Sequence, residues 1–347
     1  MDSALSSELR LPFAGPPELG EPIEVAPGIL WLRLALPYAL NHVNLYLFED
    51  GPGWALLDTG IADEPTREIW QRVLADKLGG KPITKLVLTH FHPDHVGMAG
   101  WLSERFGMPL YMSQSEYLMS RLLQSGAEAT SPAQGAFYRA GGLAEERVAQ
   151  VLTKGHSYLK RTTGLQPSYT RLIAGERLEL GGRSWRIFTG GGHAIEQVML
   201  WCEADRLFLS ADQVLARISP NVSVNPMQPQ GDPLGLYLQS LNELREAVDG
   251  EALVLPCHNL PFYGLHDRAR QLEAHHHHRC DLIAAACRTD AKSCAEIVPV
   301  IFDRPLFDPH QLSFAVGEAQ AHLNYMLRQG TLAVEPDPGH VLRYSTV

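Results

Sequence analysis

The sequence predicts an α/β layered protein that carries a helical insertion and a C-terminal tail of three helices and a hairpin. Three observations support this. Four short apolar runs read as buried strands, and each one delivers a His or an Asp at its end. Helix-patterned stretches alternate with strand-like runs from residue 23 to residue 265. From residue 266 the alternation stops and helical periodicity takes over. The chain therefore divides into an N-terminal extension (1–22), a main unit (23–265) with an insertion over 112–169, and a C-terminal unit (266–347).

Taken in order, Gly28 to Leu36 and Val43 to Glu49 are strand-like, and Trp54-Ala55-Leu56-Leu57 leads into the turn Asp58-Thr59-Gly60. Helices are expected over about Glu64 to Lys77 and Asp94 to Phe106, on either side of the apolar run Lys85-Leu86-Val87-Leu88. That run is followed by Thr89-His90-Phe91-His92-Pro93-Asp94-His95, which places three imidazoles and a carboxylate within six positions. Ile187-Phe188-Thr189 ends in Gly190-Gly191-Gly192-His193, and Leu207-Phe208-Leu209 ends in Ser210-Ala211-Asp212. Asp232-Pro233 reads as the N-cap and first-turn proline of a helix reaching about Val248. Last, Leu253-Val254-Leu255 ends in Pro256-Cys257-His258. Side chains carried on strand ends are fixed by a rigid sheet, as a preorganised site requires. Imidazoles with a few carboxylates suit zinc, and equally iron or manganese.

The run His-x-His-x-Asp-His, followed by a separated His, Asp and His, resembles the signature of the metallo-β-lactamase-fold hydrolase superfamily. The resemblance implies a four-layer αββα sandwich. It also implies two divalent metal ions, zinc foremost with iron or manganese as alternatives. One ion would be held by His90, His92 and His193, the other by Asp94, His95 and His258, with Asp212 bridging them. Asp94 would double as the catalytic residue that orients water or moves a proton, and Asp58 would support the metal loop without ligating. Cys257 departs from the family pattern, which usually has Gly there, and its thiol is read as packing.

Residues 112–169 are helix-prone, broken at Ser131-Pro132 and Gly141-Gly142, and carry Tyr117, Phe137, Tyr138, Tyr158 and Tyr169. They are expected either to roof the metals as an apolar wall, with Phe137 and Tyr138 governing substrate choice, or to form a peripheral packing element or dimer arm. The loop Arg217 to Gly231 is a second candidate wall. In the tail, Asp267 to Arg288 is a long helix, Ser293-Cys294-Ala295-Glu296 is a capping box, and Pro309 to Gln329 is a third helix. Thr331 to Glu335 and His340 to Ser345 form the hairpin, which makes the tail winged-helix-like. Similar tails occur in β-lactamase-like hydrolases, some of which are endoribonucleases. Residues 275–347 nevertheless hold six Lys or Arg against eight Asp or Glu, and the third helix has only Arg328. A groove-reading helix presents a basic face, so the tail is read as a scaffold or pocket-closing unit.

His275-His276-His277-His278 point in different directions on a helix and cannot chelate one ion together, so they read as a solvated patch. His156 and His322 carry no spacing signal. Cys280, Cys287 and Cys294 recur every seven residues, but two helical turns separate the first pair by roughly 10 Å, too far for a bridge. Five cysteines in all, without compact pairs, read as reduced thiols of a cytoplasmic protein. The net charge of −10 argues against general affinity for nucleic acid or anionic membranes. No apolar run has membrane-spanning length, and Met1 to Gly20 does not read as an export signal.

The resulting expectation is a hydrolase in which a metal-bridging hydroxide attacks an ester-like, thioester or lactone bond of a small molecule. Homo-oligomerisation stays open. A phosphodiesterase or endoribonuclease on the same metals is the alternative, and a non-catalytic metal-stabilised binding module is another.

Overall fold

Two sheets stack face to face, and the sequence patterns explain which faces are buried. A computed structural model describes residues 9–126, 132–153, 157–303 and 308–347. His156 lies outside them. The first sheet runs in chain order through β1 (Ile23–Ala26), β2 (Ile29–Ala35), β3 (His42–Asp50), β4 (Gly53–Leu57), β5 (Ile83–Val87), β6 (Leu110–Met112) and β7 (Thr170–Arg171). Its first half is antiparallel. From β4 to β7 it is parallel, because helical crossovers return the chain to the same end. The second sheet has the order β12-β11-β10-β9-β8, from β8 (Arg177–Leu180), β9 (Arg183–Gly190), β10 (Gln197–Cys202), β11 (Leu207–Ala211) and β12 (Leu253–Pro256).

Strand alternation separates three cores. Trp31, Tyr46, Phe48 and Leu57 of the first sheet meet Trp185, Ile187, Leu200, Leu209 and Leu255 of the second. The opposite face of the first sheet, through Leu32, Leu34, Leu45, Leu56 and Leu86, packs on α1 (Glu64–Arg72) and α3 (Ala99–Phe106). The outer face of the second, through Met199, Trp201, Phe208 and Val254, packs on α7 (Pro233–Ala247) and α8 (Leu265–Ala286). Helix, sheet, sheet and helix are the expected four layers. The helix expected from Asp94 to Phe106 is instead two pieces, α2 (Pro93–Val96) and α3. At Gly97 a β-carbon would meet Gly60 O at 2.4 Å and Ala62 N at 2.6 Å, so the chain bends where the Asp58 turn presses on it.

The tail contains α8, α9 (Cys294–Ile301), α10 (Pro309–Arg328) and the hairpin β13 (Leu332–Pro336) and β14 (Leu342–Thr346). The Ser293/Glu296 capping box is formed, with both reciprocal bonds. Ile297, Val316, Leu323, Leu332 and Tyr344 join the same core as Tyr237 and Phe208, so the tail shares its interior with the second sheet. All five cysteines are free thiols. No helix among the described residues is long and apolar enough to cross a membrane.

Two expectations need correcting. Phe137 and Tyr138, on α5 (Pro132–Ala140), do not face a pocket. They are buried with Val148 and Val151 of α6 (Glu145–Leu152) in the core shared with the tail, because amphipathic insertion helices find apolar cover there. The histidine run is not uniformly solvated either. His277 and His278 are exposed, but His276 is fully buried, 5.4 Å from the ring of Tyr237, with its Nδ1 3.1 Å from His322 Nε2.

Candidate metal centre

The seven predicted ligand positions come together at one edge of the sandwich, where β5, β9, β11 and β12 end. Coordinating atoms of His90, His92 and His193 lie within 4.8 Å of one another, as do those of Asp94, His95 and His258. Asp212 sits between these groups. Its Oδ2 is 3.3 Å from His193 Nε2, 3.2 Å from His258 Nε2 and 3.6 Å from His95 Nε2. Asp94 Oδ2 is 3.6 Å from His95 Nε2 and 3.5 Å from His258 Nε2.

The imidazoles are oriented from behind. His193 Nδ1–H donates to the Asn221 carbonyl at 2.8 Å, and His258 Nδ1–H donates to the His42 carbonyl at 2.7 Å. His95 Nδ1–H donates to Asp58 Oδ2 at 2.8 Å, and His90 Nδ1 meets Thr89 Oγ1 at 3.0 Å. These contacts aim Nε2 of His95, His193 and His258 at the cluster, an arrangement typical of metal-bound histidine. His92 differs, approaching His90 Nε2 with its Nδ1 at 2.9 Å.

Asp58 holds the motif rather than entering the cluster. Its Oδ1 accepts from Thr89 N and its Oδ2 from Thr89 Oγ1, each at 2.8 Å. Asp58, Ala211 and Asn259 adopt φ of 61°, 46° and 66°, in the left-handed region disfavoured for side-chain-bearing residues. All three adjoin the cluster, and their conformations are held by the surrounding bonds. Cys257 Sγ packs 3.5 Å from Asp58 Oδ2, and burial holds its thiol well above the usual range.

Sequence reasoning missed several supporting residues. Glu116, on α4 (Gln114–Gln124), is fully buried and accepts from Phe91 N at 2.9 Å and Glu196 N at 2.6 Å. It thereby ties the His90–His92 loop to the loop after His193. Burial pushes its carboxyl up to about 7. Tyr158 Oη donates to Phe91 O at 2.8 Å, so the insertion grips both sides of that residue. Gln197 and Gln213 bond each other at 3.0 Å, and Gln213 Nε2 donates to Gly191 O at 3.1 Å. None of these contacts has a local sequence signal.

The electrostatics favour a cation. Burial, followed by neighbouring imidazoles, holds His90 and His92 well below the usual histidine range, leaving them neutral. Burial also opposes charge on His95, yet Asp94, Asp212 and Asp58 together raise it well above that range. Burial would raise Asp212, but His258 and His95 outweigh it and hold the carboxyl well below its usual range. His95 Nε2, His193 Nε2 and Asp212 Oδ1 are buried without a hydrogen-bond partner among the described residues. Unpartnered nitrogen and oxygen atoms gathered in one cluster, with carboxylates holding positive charge there, fit a divalent metal that would take the place of the imidazole proton.

The sequence matches the model of the metallo-beta-lactamase superfamily over residues 39–258, and that of the metallo-beta-lactamase-like C-terminal domain over 280–347. A crystal structure of a beta-lactamase domain protein from Burkholderia ambifaria superimposes with a TM-score of 0.91 at 39% identity, covering 99% of this chain and 100% of that one. A metallo-beta-lactamase family protein from Thermus thermophilus gives 0.79 at 27% identity, covering 93% and 100%. Among curated proteins, the "Probable metallo-hydrolase YqjP" of Bacillus subtilis is 23% identical over 86% of this chain and 92% of its own length. The linear primary-alkylsulfatase of a Pseudomonas species is 24% identical over 63% of this chain, but the match spans only 42% of that protein. The strand-end histidines and aspartates thus lie inside a superfamily match covering most of the chain, and the chain belongs to the metallo-beta-lactamase superfamily, as a hydrolase with that superfamily's C-terminal domain.

Proposed function

We propose that this protein is a dinuclear metal-dependent hydrolase that cleaves an ester-like, thioester or lactone bond of a small molecule. The observation carrying the reading is the position of Asp212 Oδ2, which lies within 3.3 Å of His193 on one side and His258 on the other. His90, His92 and His193 would hold one ion and Asp94, His95 and His258 the other, with Asp212 shared. Bound there, two divalent ions, zinc by donor type with iron or manganese compatible, would supply an acidified water and stabilise a developing oxyanion.

The chain's own residues do the rest. Asp58, Asn221 and His42 fix the imidazoles. Asp94, with its side chain 19% exposed against 7% for Asp212, is the cluster's more accessible carboxylate; with Oδ2 turned toward His95 and His258, its other oxygen, Oδ1, would take a proton from water or return it to a leaving group. Aromatic groups from separate segments meet one another. Tyr38 stacks on His310 with ring centroids 5.9 Å apart, Phe314 is 4.5 Å from His310, and the Arg161 guanidinium is 5.9 Å from the Tyr38 ring. Burial raises the Tyr38 phenol, Arg161 lowers it, and the charge of Asp94 raises it further. Tyr38 lies four residues before His42, whose carbonyl accepts from His258. Tyr38 is 40% exposed and Phe314 43%, so a substrate with an apolar or ring-bearing acyl group has surface to contact.

Replacing Tyr38 by Ala should therefore lower kcat/KM for aryl or long acyl esters by roughly tenfold or more, since contact with one aromatic is worth about 1.5–3 kcal/mol. Acetyl esters should change little, and equal losses on both substrates would remove Tyr38 from the binding surface. The test of the function itself is a panel of carboxyl esters, thioesters, lactones, alkyl sulfates and phosphodiesters presented to metal-loaded protein. Turnover is expected on the carboxyl substrates. Preference for a phosphodiester would favour the nuclease alternative, and no turnover on any would favour a binding module.

Nucleic acid should bind weakly. Among the described residues of α10, Arg328 is the one Lys or Arg, and it donates to Gln230 O at 3.0 Å. A titration with RNA at physiological salt should give no submicromolar affinity. Tight binding that collapses as salt rises would overturn the small-molecule reading.

A further inference from the structure

The loop between β11 and α7 delivers the Asn221 carbonyl to His193, and the tail holds this loop along its length. Val224 N donates to Gly317 O at 3.0 Å. Asn324 Nδ2 donates to Pro229 O at 2.9 Å and Gly231 O at 2.7 Å, and Arg328 reaches Gln230 O. From α8, the buried Arg268 donates through Nε to Leu215 O at 2.6 Å and through Nη2 to Ile218 O at 2.9 Å. Val222 and Val224 insert between these bonds into the core that contains Val316. At Gly317 a β-carbon would come within 2.9 Å of Ser223, so the helix and the loop are in direct contact there.

Asn221 itself is anchored at both ends of its amide. Its Nδ2 donates to Glu318 Oε2 at 3.1 Å, and its Oδ1 accepts from Ser223 Oγ at 2.6 Å. Glu318 is only 5% exposed and also forms an ion pair with Arg279 of α8. A carboxylate removed from water is costly unless it is paired and hydrogen-bonded, and a fully bonded one holds its partners rigidly. The chain of contacts therefore runs from Arg279 to Glu318, to Asn221, and to Nδ1 of His193.

We propose that the C-terminal region positions one metal ligand: through Glu318 and Asn221, α10 fixes the Nδ1–H of His193 and so aims its Nε2 at the site shared with His90 and His92. The proposal rests on the dinuclear reading above. It gives the tail a task within the hydrolase, and it explains why Gly317, Glu318, Asn324 and Arg328, all on one helix, serve the same loop. Glu318 and Asn221 are positioning residues and touch no reacting atom.

The test measures metal affinity by chelator competition, with hydrogen exchange over 217–231 as a readout independent of activity. Glu318→Ala and Asn221→Ala should each weaken the ion at His90, His92 and His193 by about 10–100-fold, the usual cost of losing a partner that orients a ligand. Glu318→Gln keeps an acceptor for Asn221 and should lose less. In the wild-type protein, metal should slow exchange across 217–231, and this coupling should shrink in both alanine variants. Arg343→Ala, which removes ion pairs to Glu296 and Asp337 elsewhere in the tail, should leave affinity and exchange over the loop unchanged. Should Glu318→Ala not fold, Asn221→Ala and Glu318→Gln carry the test. Folded variants with wild-type affinity and exchange would overturn the proposal. So would an Arg343→Ala loss equal to theirs, because the effect would then be general loosening of the tail. A wild-type protein that binds no metal would instead refute the dinuclear reading.

Discussion

Asp212→Ala should abolish most of the activity and most of the metal. The carboxylate lies within 3.6 Å of the Nε2 atoms of His193, His258 and His95, so its removal takes the shared oxygen from both proposed ion positions. It also removes the negative charge that would offset the two proposed dications. A dinuclear centre contributes several kcal/mol of transition-state charge stabilisation. At about 1.4 kcal/mol per decade, the expected loss in kcat is on the order of 10³-fold. His95→Ala and His258→Ala each leave Asp212 and the His90, His92, His193 group in place, so they should lower occupancy of one ion and cost less. Metal analysis beside single-turnover kinetics checks the ranking. An Asp212→Ala variant with two ions and near-normal turnover would remove Asp212 from the centre.

Glu116→Ala should cost both stability and metal affinity. Two backbone N–H groups, of Phe91 and Glu196, would lose their buried acceptor, at about 1–3 kcal/mol each. Phe91 separates His90 from His92, and Glu196 follows His193 by three residues, so the group His90, His92 and His193 would loosen at both of its loops. A 10–100-fold fall in affinity for that ion is expected, alongside a lower denaturant midpoint. Tyr158→Phe removes the bond to Phe91 O and the one shared with Ser120 Oγ at 2.7 Å, and should cost about 1–3 kcal/mol with a smaller metal effect. If Glu116→Ala unfolds more easily but binds both ions as the wild type does, Glu116 is a packing residue alone.

The residues that should meet metal were legible because each closes an apolar run, and a strand end is visible in a single window of sequence. Asp58 was legible for the same reason. Their partners were not. Asn221 acts on the His193 imidazole 28 positions away, Glu116 and Tyr158 act on the backbone of Phe91 25 and 67 positions away, and no periodicity records a contact of that kind. The insertion shows a further limit. Aromatic residues on amphipathic helices serve a pocket or a core equally well, and what decides is the apolar face opposite them. For Phe137 and Tyr138 that face is the core shared with the tail, whereas Glu116, at a position that composition marks as surface, turns inward to the site. His276 repeats the lesson, since the helix rather than the histidine run determines which ring is buried.

The dinuclear reading is tested by the metal content of the intact protein, purified gently, reconstituted with zinc, iron or manganese and freed of loosely held ions. Two transition-metal ions per chain are expected for at least one of these metals, with Asp212→Ala holding far less. No metal after reconstitution, or two ions that remain in full when Asp212 is replaced, would contradict it.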